Sequence, residues 1–227
     1  EERVREYARA LDGWHGPIVL GPEHFARADR ALSEGVKSDI RFAHQRITDF
    51  AQRQRDAMQE FSHEFMPGLT AGQRLIPCQS AGCYIPGGRY AHAASAIMSV
   101  GTASVAGVRN IVATTPAHAQ DGIHPAILYA MQLCGVSTVL ALGGVQGVAA
   151  LAHGLFTGRP ADIIVGPGNK FVAEAKRQQR LAELLCRAGS QQYVLQQHGV
   201  AKGDAAEHRG EQRGDARQPP RASWPRV

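Results

Sequence analysis

The chain has 227 residues, 44% hydrophobic and 20% charged, with a formal net charge of +5 and a mean hydropathy of −0.24. These values exclude collagenous, mucin-like and wholly disordered classes, and the length allows one large domain or two small ones. No run of eighteen apolar residues occurs, and no apolar core follows the charged start Glu1-Glu2-Arg3-Val4-Arg5, so neither a membrane span nor a secretory leader is expected.

The first residue is not Met, which leads to the expectation of a longer reading frame. The 21 Arg and four Lys are scattered rather than blocked, which reads as a solvated surface and not as a nucleic-acid interface. Cys78, Cys83, Cys134 and Cys186 form one C-x4-C and two singles, a spacing that fits no common zinc knuckle. Reduced thiols in the cytoplasm are therefore expected.

The composition divides the chain into three parts: residues 1–74, 75–177 and 178–227. The first is polar and helical in period. From Asp39 to Phe61 the residues Ile40, Ala43, Ile47, Phe50, Ala57, Met58 and Phe61 recur mostly at three- and four-residue steps, with Arg41, Arg46, Arg53 and Arg55 largely off that face. The pattern predicts a packing or dimerisation helix, capped by Ser38 or Asp39 and stopped by Pro67-Gly68.

The second part is small, apolar and Gly-rich. Strands are predicted at Gly82–Ile85, Asn110–Thr114, Thr138–Leu142 and Asp162–Val165, with helices at Ala91–Val105, Pro125–Cys134, Gln146–Phe156 and from Asn169 onward. Ala106-Gly107-Val108 and Cys134-Gly135-Val136, each leading into an apolar strand, are one unit written twice, 28 residues apart. A helix, a Gly-Val turn and a continuous apolar strand are what a parallel layer covered on both faces requires. The predicted class is α/β: a Rossmann-like parallel sheet with helices on both faces, preceded by an N-terminal helical segment. The third part holds eight Gln and eight Lys or Arg, but only seven Val, Ile, Leu or Phe in 50 residues. No period can be followed after Leu195, so a disordered tail or a reading frame altered near Arg177 is expected.

Two Gly-rich turns follow predicted strands and open helices: Gly143-Gly144-Val145-Gln146-Gly147 and Gly166-Pro167-Gly168-Asn169. Unpaired N–H groups at a helix start suit a phosphate, and glycines remove the Cβ atoms that would keep it away. Neither turn matches G-x-G-x-x-G, so two tight turns whose glycines merely permit the backbone remain an alternative. A third turn, Tyr84 to Tyr90, reads first as an ordinary turn with a half-buried Tyr; the alternative is a ring that stacks on a flat group, with Arg89 to meet an anion. Among ten histidines none has a zinc-protease spacing; His44 reads as a partly exposed helix residue, and His124 before Pro125 as a cap or turn residue.

Taken in order and spacing, CYIPGGRY (Cys83 to Tyr90), VAGVRNIVATTP (Val105 to Pro116), ALGGVQGVAALA (Ala141 to Ala152) and ADIIVGPGNKFVAEAKR (Ala161 to Arg177) resemble the histidinol dehydrogenase family. The resemblance covers about residues 1–177. YARALDGWHGPIV and DIRFAHQRITDFAQRQRDAMQEF look closer to its sulfopropanediol dehydrogenase branch. It implies an NAD-dependent, usually zinc-dependent homodimeric enzyme that oxidises a primary alcohol through an aldehyde to a carboxylate. The alcohol would be 2,3-dihydroxypropane-1-sulfonate or L-histidinol, with no nucleic-acid or membrane partner. Its cofactor contacts map onto Tyr84, Gln146 and Asn169. Its zinc ligands and general base map onto no residue, because the sequence departs from the family after Arg177; Gln196-Gln197-His198-Gly199 is similar to a ligand segment, but too close to Asn169. The other reading is a non-catalytic dinucleotide-binding piece that pairs with an intact subunit.

Overall fold

A computed structural model of the chain describes residues 1–76, 78–87 and 90–179. The expectations for Arg89, Cys186, Gln196–Gly199 and the stretch after Leu195 fall outside those residues.

Four strands form a wholly parallel sheet: β3 (Ser80–Tyr84), β4 (Asn110–Thr115), β5 (Thr138–Ala141) and β6 (Ile163–Val165), in spatial order β5-β4-β3-β6. Because side chains alternate along a strand, each strand feeds both faces. Ile111, Ala113, Val139 and Ala141 join one core with Ile40, Ile97, Val100, Ile127 and Met131. Val112, Leu140 and Leu142 join another with Val4, Ala8, Ala150 and Leu151. The first core lies under α2 (Pro22–Ala31), α3 (Glu34–Asp56), the continuous run of α4 (Ala93–Ala96), a π turn and α5 (Thr102–Val105), and α6 (Pro125–Leu133); the second lies under α1 (Glu2–Asp12) and α7 (Gly144–His153). Residues 170–179 are also helical. The predicted α/β class, with helices on both faces and helices preceding the sheet, is what forms. Burying each Ile, Leu, Val or Met contributes roughly 1.5–3 kcal/mol, which makes these two cores the main source of cohesion.

The repeated Gly-Val unit is a repeated helix stop. Val108 N–H donates to Ala103 O and Gly107 N–H to Ser104 O; Val136 N–H donates to Met131 O and Gly135 N–H to Gln132 O. Both are Schellman caps, with the glycine left-handed at φ +82° and +80° and a valine folding back onto the helix. The next strand then begins three residues beyond each glycine.

The long helix differs from its prediction at both ends. α3 starts at Glu34, capped by Ser33 rather than by Ser38 or Asp39, and stops at Asp56. Phe61 begins a hairpin strand, β1 (Phe61–Met66), paired antiparallel with β2 (Leu69–Gln73), and Pro67-Gly68 makes the turn between them rather than the helix stop. Ile40 and Ala51 are buried, with Ala43 and Ile47 packed against the core of Ile40, but Phe50, Met58 and Phe61 are exposed, so the buried face runs through Ala51 rather than Phe50. Arg55 donates to Val105 O at 2.8 Å and Arg41 to the Tyr129 hydroxyl at 3.0 Å, which ties the polar flank of α3 to neighbouring helices. The predicted Ala91–Val105 helix is interrupted by a π-helical turn at Ile97–Gly101, where Ser99 Oγ donates to Ser95 O. Among the described residues no helix is long and apolar enough to cross a membrane.

The cap assignment has a measurable consequence. Ser33 Oγ accepts from Val36 N–H, so Ser33→Ala should lower stability by about 0.5–1 kcal/mol. Ser38 is exposed in the helix interior, where Ala should change it by less than about 0.5 kcal/mol. Urea denaturation of both variants checks this; a larger loss at Ser38 would return the cap to the position that the sequence predicted.

Candidate functional site

All four strands end at one edge of the sheet, and each predicted turn lies there. β3 ends at Tyr84, β5 leads into Gly143-Gly144, and β6 leads into Gly166–Asn169. The chain moves outward on one side of β3 to lay down β4 and β5, then returns to place β6 on the other side. The strand order therefore reverses between β3 and β6, which is where open α/β sheets bind ligands. β5 and β6 are the outer strands, so the two Gly-rich turns do not adjoin. Tyr84 spans them.

Its hydroxyl accepts from Gly144 N–H at 3.1 Å, and its backbone carbonyl lies against Gly166, where a Cβ would come to 1.9 Å of the oxygen. The ring is 5% exposed and packs with Val148, Val172 and Ala175. A stacking role, the alternative that the sequence offered, is therefore not what the ring is free to do; the ring is part of the core, and its hydroxyl is the polar end that reaches the Gly144 turn. Burial pushes the Tyr84 phenol up, the Gly144 N–H draws it partly back, and the Asp12 charge raises it further. At neutral pH Tyr84 is a neutral hydroxyl with a hydrogen to donate.

Gln146 is also 5% exposed. Its Nε2 donates to Asp12 Oδ2 at 3.0 Å, and the same oxygen accepts from Gly143 N–H at 3.3 Å. The N-terminus of α7 is thus closed by a carboxylate and a phenol of the chain itself. The expectation that Gly143-Gly144 offers free N–H groups to a phosphate is corrected here: Asp12 and Tyr84 already occupy them.

Asn169 is exposed at the start of the helix through residues 170–179. Its Oδ1 accepts from Phe171 N–H at 3.0 Å and Val172 N–H at 3.1 Å, so it is the N-cap of that helix. With the oxygen engaged in the cap, the amide NH2 faces the other way as a donor. Lys176, two turns on, donates from Nζ to Gly166 O, and burial pulls its pKa down. This second turn carries a helix N-terminus, an exposed amide and a lysine, a composition suited to an anion.

The structure thus joins Tyr84 to Gln146 through Asp12 and Gly144, and joins Tyr84 to the Gly166 turn by backbone contact. Sequence reasoning missed Asp12 and Lys176. Lys176 carries a signal, since it follows Asn169 by two helical turns; Asp12 carries none, being 134 residues from Gln146 in sequence. His124 caps α6 as predicted, its Nδ1 accepting from Ala126 N–H at 3.2 Å, and His44 is half-buried on α3. Burial pushes the Cys83 and Cys134 thiols up to about 12, so neither is a ready nucleophile. Among the described residues no group of three or more His, Cys, Asp or Glu could hold a metal ion. The zinc implied by the resemblance therefore does not fit these residues.

Known proteins share this outline. The family model described as histidinol dehydrogenase matches residues 1–183. The chain is 58% identical over 178 residues to a histidinol dehydrogenase homolog of Ruegeria pomeroyi, covering 78% of this chain and 41% of that protein. It is 50% identical over 172 residues to sulfopropanediol 3-dehydrogenase of the same organism, covering 76% and 40%. The crystal structure of histidinol dehydrogenase from Elizabethkingia anophelis matches with a TM-score of 0.73 at 28% identity, covering 79% of this chain and 41% of that one. The chain spans about two fifths of the length of these relatives.

Proposed function

The chain belongs to the histidinol dehydrogenase family, and from that premise we propose that it supplies the cofactor-binding half of an NAD-dependent primary-alcohol dehydrogenase. Residues 75–177 would be the NAD-binding domain and residues 1–74 its helical support. The observation that carries the reading is the reversal of strand order between β3 and β6, flanked by Tyr84 on one side and Gly166–Asn169 on the other. The Gly166 turn fits a dinucleotide: it has no room for a Cβ, it opens a helix, and Lys176 stands behind it.

When bound, NAD accepts a hydride from the alcohol carbon. The chain's own part is to bind and orient. Asn169 caps its helix with Oδ1 and turns its NH2 outward to donate; Lys176 adds a donor beside the same turn; Tyr84 and Gln146 present polar atoms at the neighbouring strand end. No proton-transfer or metal step is assigned to these residues. The full-length protein is read as a cytoplasmic homodimer with zinc, on the family's pattern. Its alcohol is 2,3-dihydroxypropane-1-sulfonate or L-histidinol, a reading supported by the relatives above.

Asn169→Asp tests the cofactor site, because it separates folding from binding. The carboxylate keeps the acceptor that caps the helix and adds negative charge at its N-terminus, so stability should hold or rise by a few tenths of a kcal/mol. It loses the NH2 donor and repels phosphates. The loss of a charge-assisted hydrogen bond, about 1.5–3 kcal/mol, should weaken NAD roughly tenfold or more. Calorimetric titration alongside thermal melting checks both directions. Equal NAD affinity in the two proteins would move the cofactor away from this turn.

A further inference from the structure

Asp12 terminates α1, and its carboxylate is spent on the first turn of α7, the other helix over the same core. One oxygen, Oδ2, takes both Gln146 Nε2 and Gly143 N–H. A carboxylate accepts and never donates, so the Gln146 amide can meet it only through its NH2, and the amide oxygen must face the other way. Oε1 lies on the Gly144 side, 3.1 Å from where a Cβ on Gly144 would stand. The Gly143 N–H is taken by Asp12 and the Gly144 N–H by the Tyr84 hydroxyl, which leaves Tyr84's hydrogen to donate elsewhere. The two groups that look alike in the sequence, a Gly-Gly turn at a helix start and a Gly-rich turn at another, are therefore opposite in chemistry. The first carries a negative charge, the Asp12 carboxylate; the second is capped by the neutral Asn169 side chain, with its NH2 outward and Lys176 beside it.

We propose that Asp12 is a positioning residue that fixes Gln146 as a hydrogen-bond acceptor and closes the start of α7 to phosphate. The cofactor group met at this turn is then a donor, a hydroxyl or an amine, while the phosphates lie at Gly166–Asn169. This rests on the NAD reading above and deepens it: it states which part of the dinucleotide each turn takes.

The pair Asp12 and Gln146 can be tested by reversing its polarity. Gln146→Glu sets two carboxylates at the present 3.0 Å contact and should weaken NAD at least tenfold. Asp12→Asn alone keeps an acceptor in place and should change NAD affinity less than about threefold. In the double variant, the amide introduced in place of Asp12 would donate to the carboxylate introduced in place of Gln146. The second oxygen of that carboxylate still faces the ligand as an acceptor, so NAD affinity should return to within about threefold of wild type. A double variant no better than Gln146→Glu overturns the proposal. Nicotinamide hypoxanthine dinucleotide lacks the adenine amine: equal weakening by Gln146→Glu for both dinucleotides supports a hydroxyl at this turn, and weakening for NAD alone supports the amine. A readout independent of cofactor keeps the two readings apart. In NMR spectra of the ligand-free chain, the Gln146 side-chain NH2 signals should be slow to exchange with water and should shift in the Asp12→Asn variant. Failure of the wild type to bind NAD with these signals as expected sinks the NAD reading and leaves the Asp12–Gln146 link standing; signals indifferent to Asp12→Asn overturn the link itself.

Discussion

Gly166→Ala should lower the stability of this protein by on the order of 3 kcal/mol or more, and NAD binding should be lost with it. Two costs add. At φ +116° the backbone is in a region that L side chains rarely adopt, and an added Cβ would lie 1.9 Å from Tyr84 O and 2.9 Å from its carbonyl carbon. Neither side can yield cheaply. Tyr84 ends β3, which is paired on both sides and buried along all five residues, and Ile85 N–H beyond it is held by Thr114 O at 2.8 Å. Gly158 provides the contrast: its φ is +71°, but nothing lies within 4 Å of an added methyl. Gly158→Ala should therefore show the backbone cost alone, about 1–2 kcal/mol. Urea midpoints of the two variants measure the difference. A Gly166→Ala protein no less stable than Gly158→Ala would mean that the turn and β3 are not in contact in solution.

That contact marks the boundary of what the sequence could tell. The four strands and the helices between them are legible because their signals are local: a Gly-Val pair folds back on the helix that precedes it, and an apolar run follows at once. Strand order is not local. Nothing near Gly143 or Gly166 reveals that β5 and β6 stand at opposite sides of the sheet, or that Tyr84 is what lies between. The α3 face differs from its prediction for a related reason. Periodicity places Phe50, Met58 and Phe61 in line with Ile40, but the buried face runs on through Ala51 instead of Phe50, and Met58 and Phe61 lie beyond the end of the helix. The hairpin reads as helix in the sequence because both of its strands are fully exposed, so it lacks the alternation that a half-buried strand shows. Gly-rich turns after strands are predicted at the carboxyl edge of the sheet, and the structure puts them there. What the Gly143 turn can accept depends on Asp12, a carboxylate on another helix, and a sequence read turn by turn cannot say that a distant side chain has already filled a helix start.

The same geometry leads to the largest expected effect on activity. Purified as this chain of 227 residues, the protein should produce no steady NADH from L-histidinol or 2,3-dihydroxypropane-1-sulfonate. Oxidising an alcohol requires a group to take the hydroxyl proton as the hydride leaves, and a positioned base typically contributes roughly 10²–10⁴-fold, about 3–5 kcal/mol of barrier. Three polar groups at the carboxyl edge of the sheet are already engaged. Tyr84 is held protonated, its phenol pushed up by burial; Asp12 accepts from Gln146 and Gly143; Lys176 donates to Gly166 O. Tyr84 and Lys176 carry their protons, and Asp12 commits Oδ2 to the start of α7, so all three are read as groups that bind and position. NAD can dock at such an edge without reacting, so binding and turnover should part: a calorimetric signal with NAD, and a flat absorbance trace when either alcohol is added. Adding an intact family subunit should not change that trace beyond the subunit's own rate unless the two chains assemble, which sedimentation would reveal. Steady NADH formation by the chain alone, abolished by Asn169→Asp, would overturn the proposal and place a proton acceptor among residues proposed only to bind.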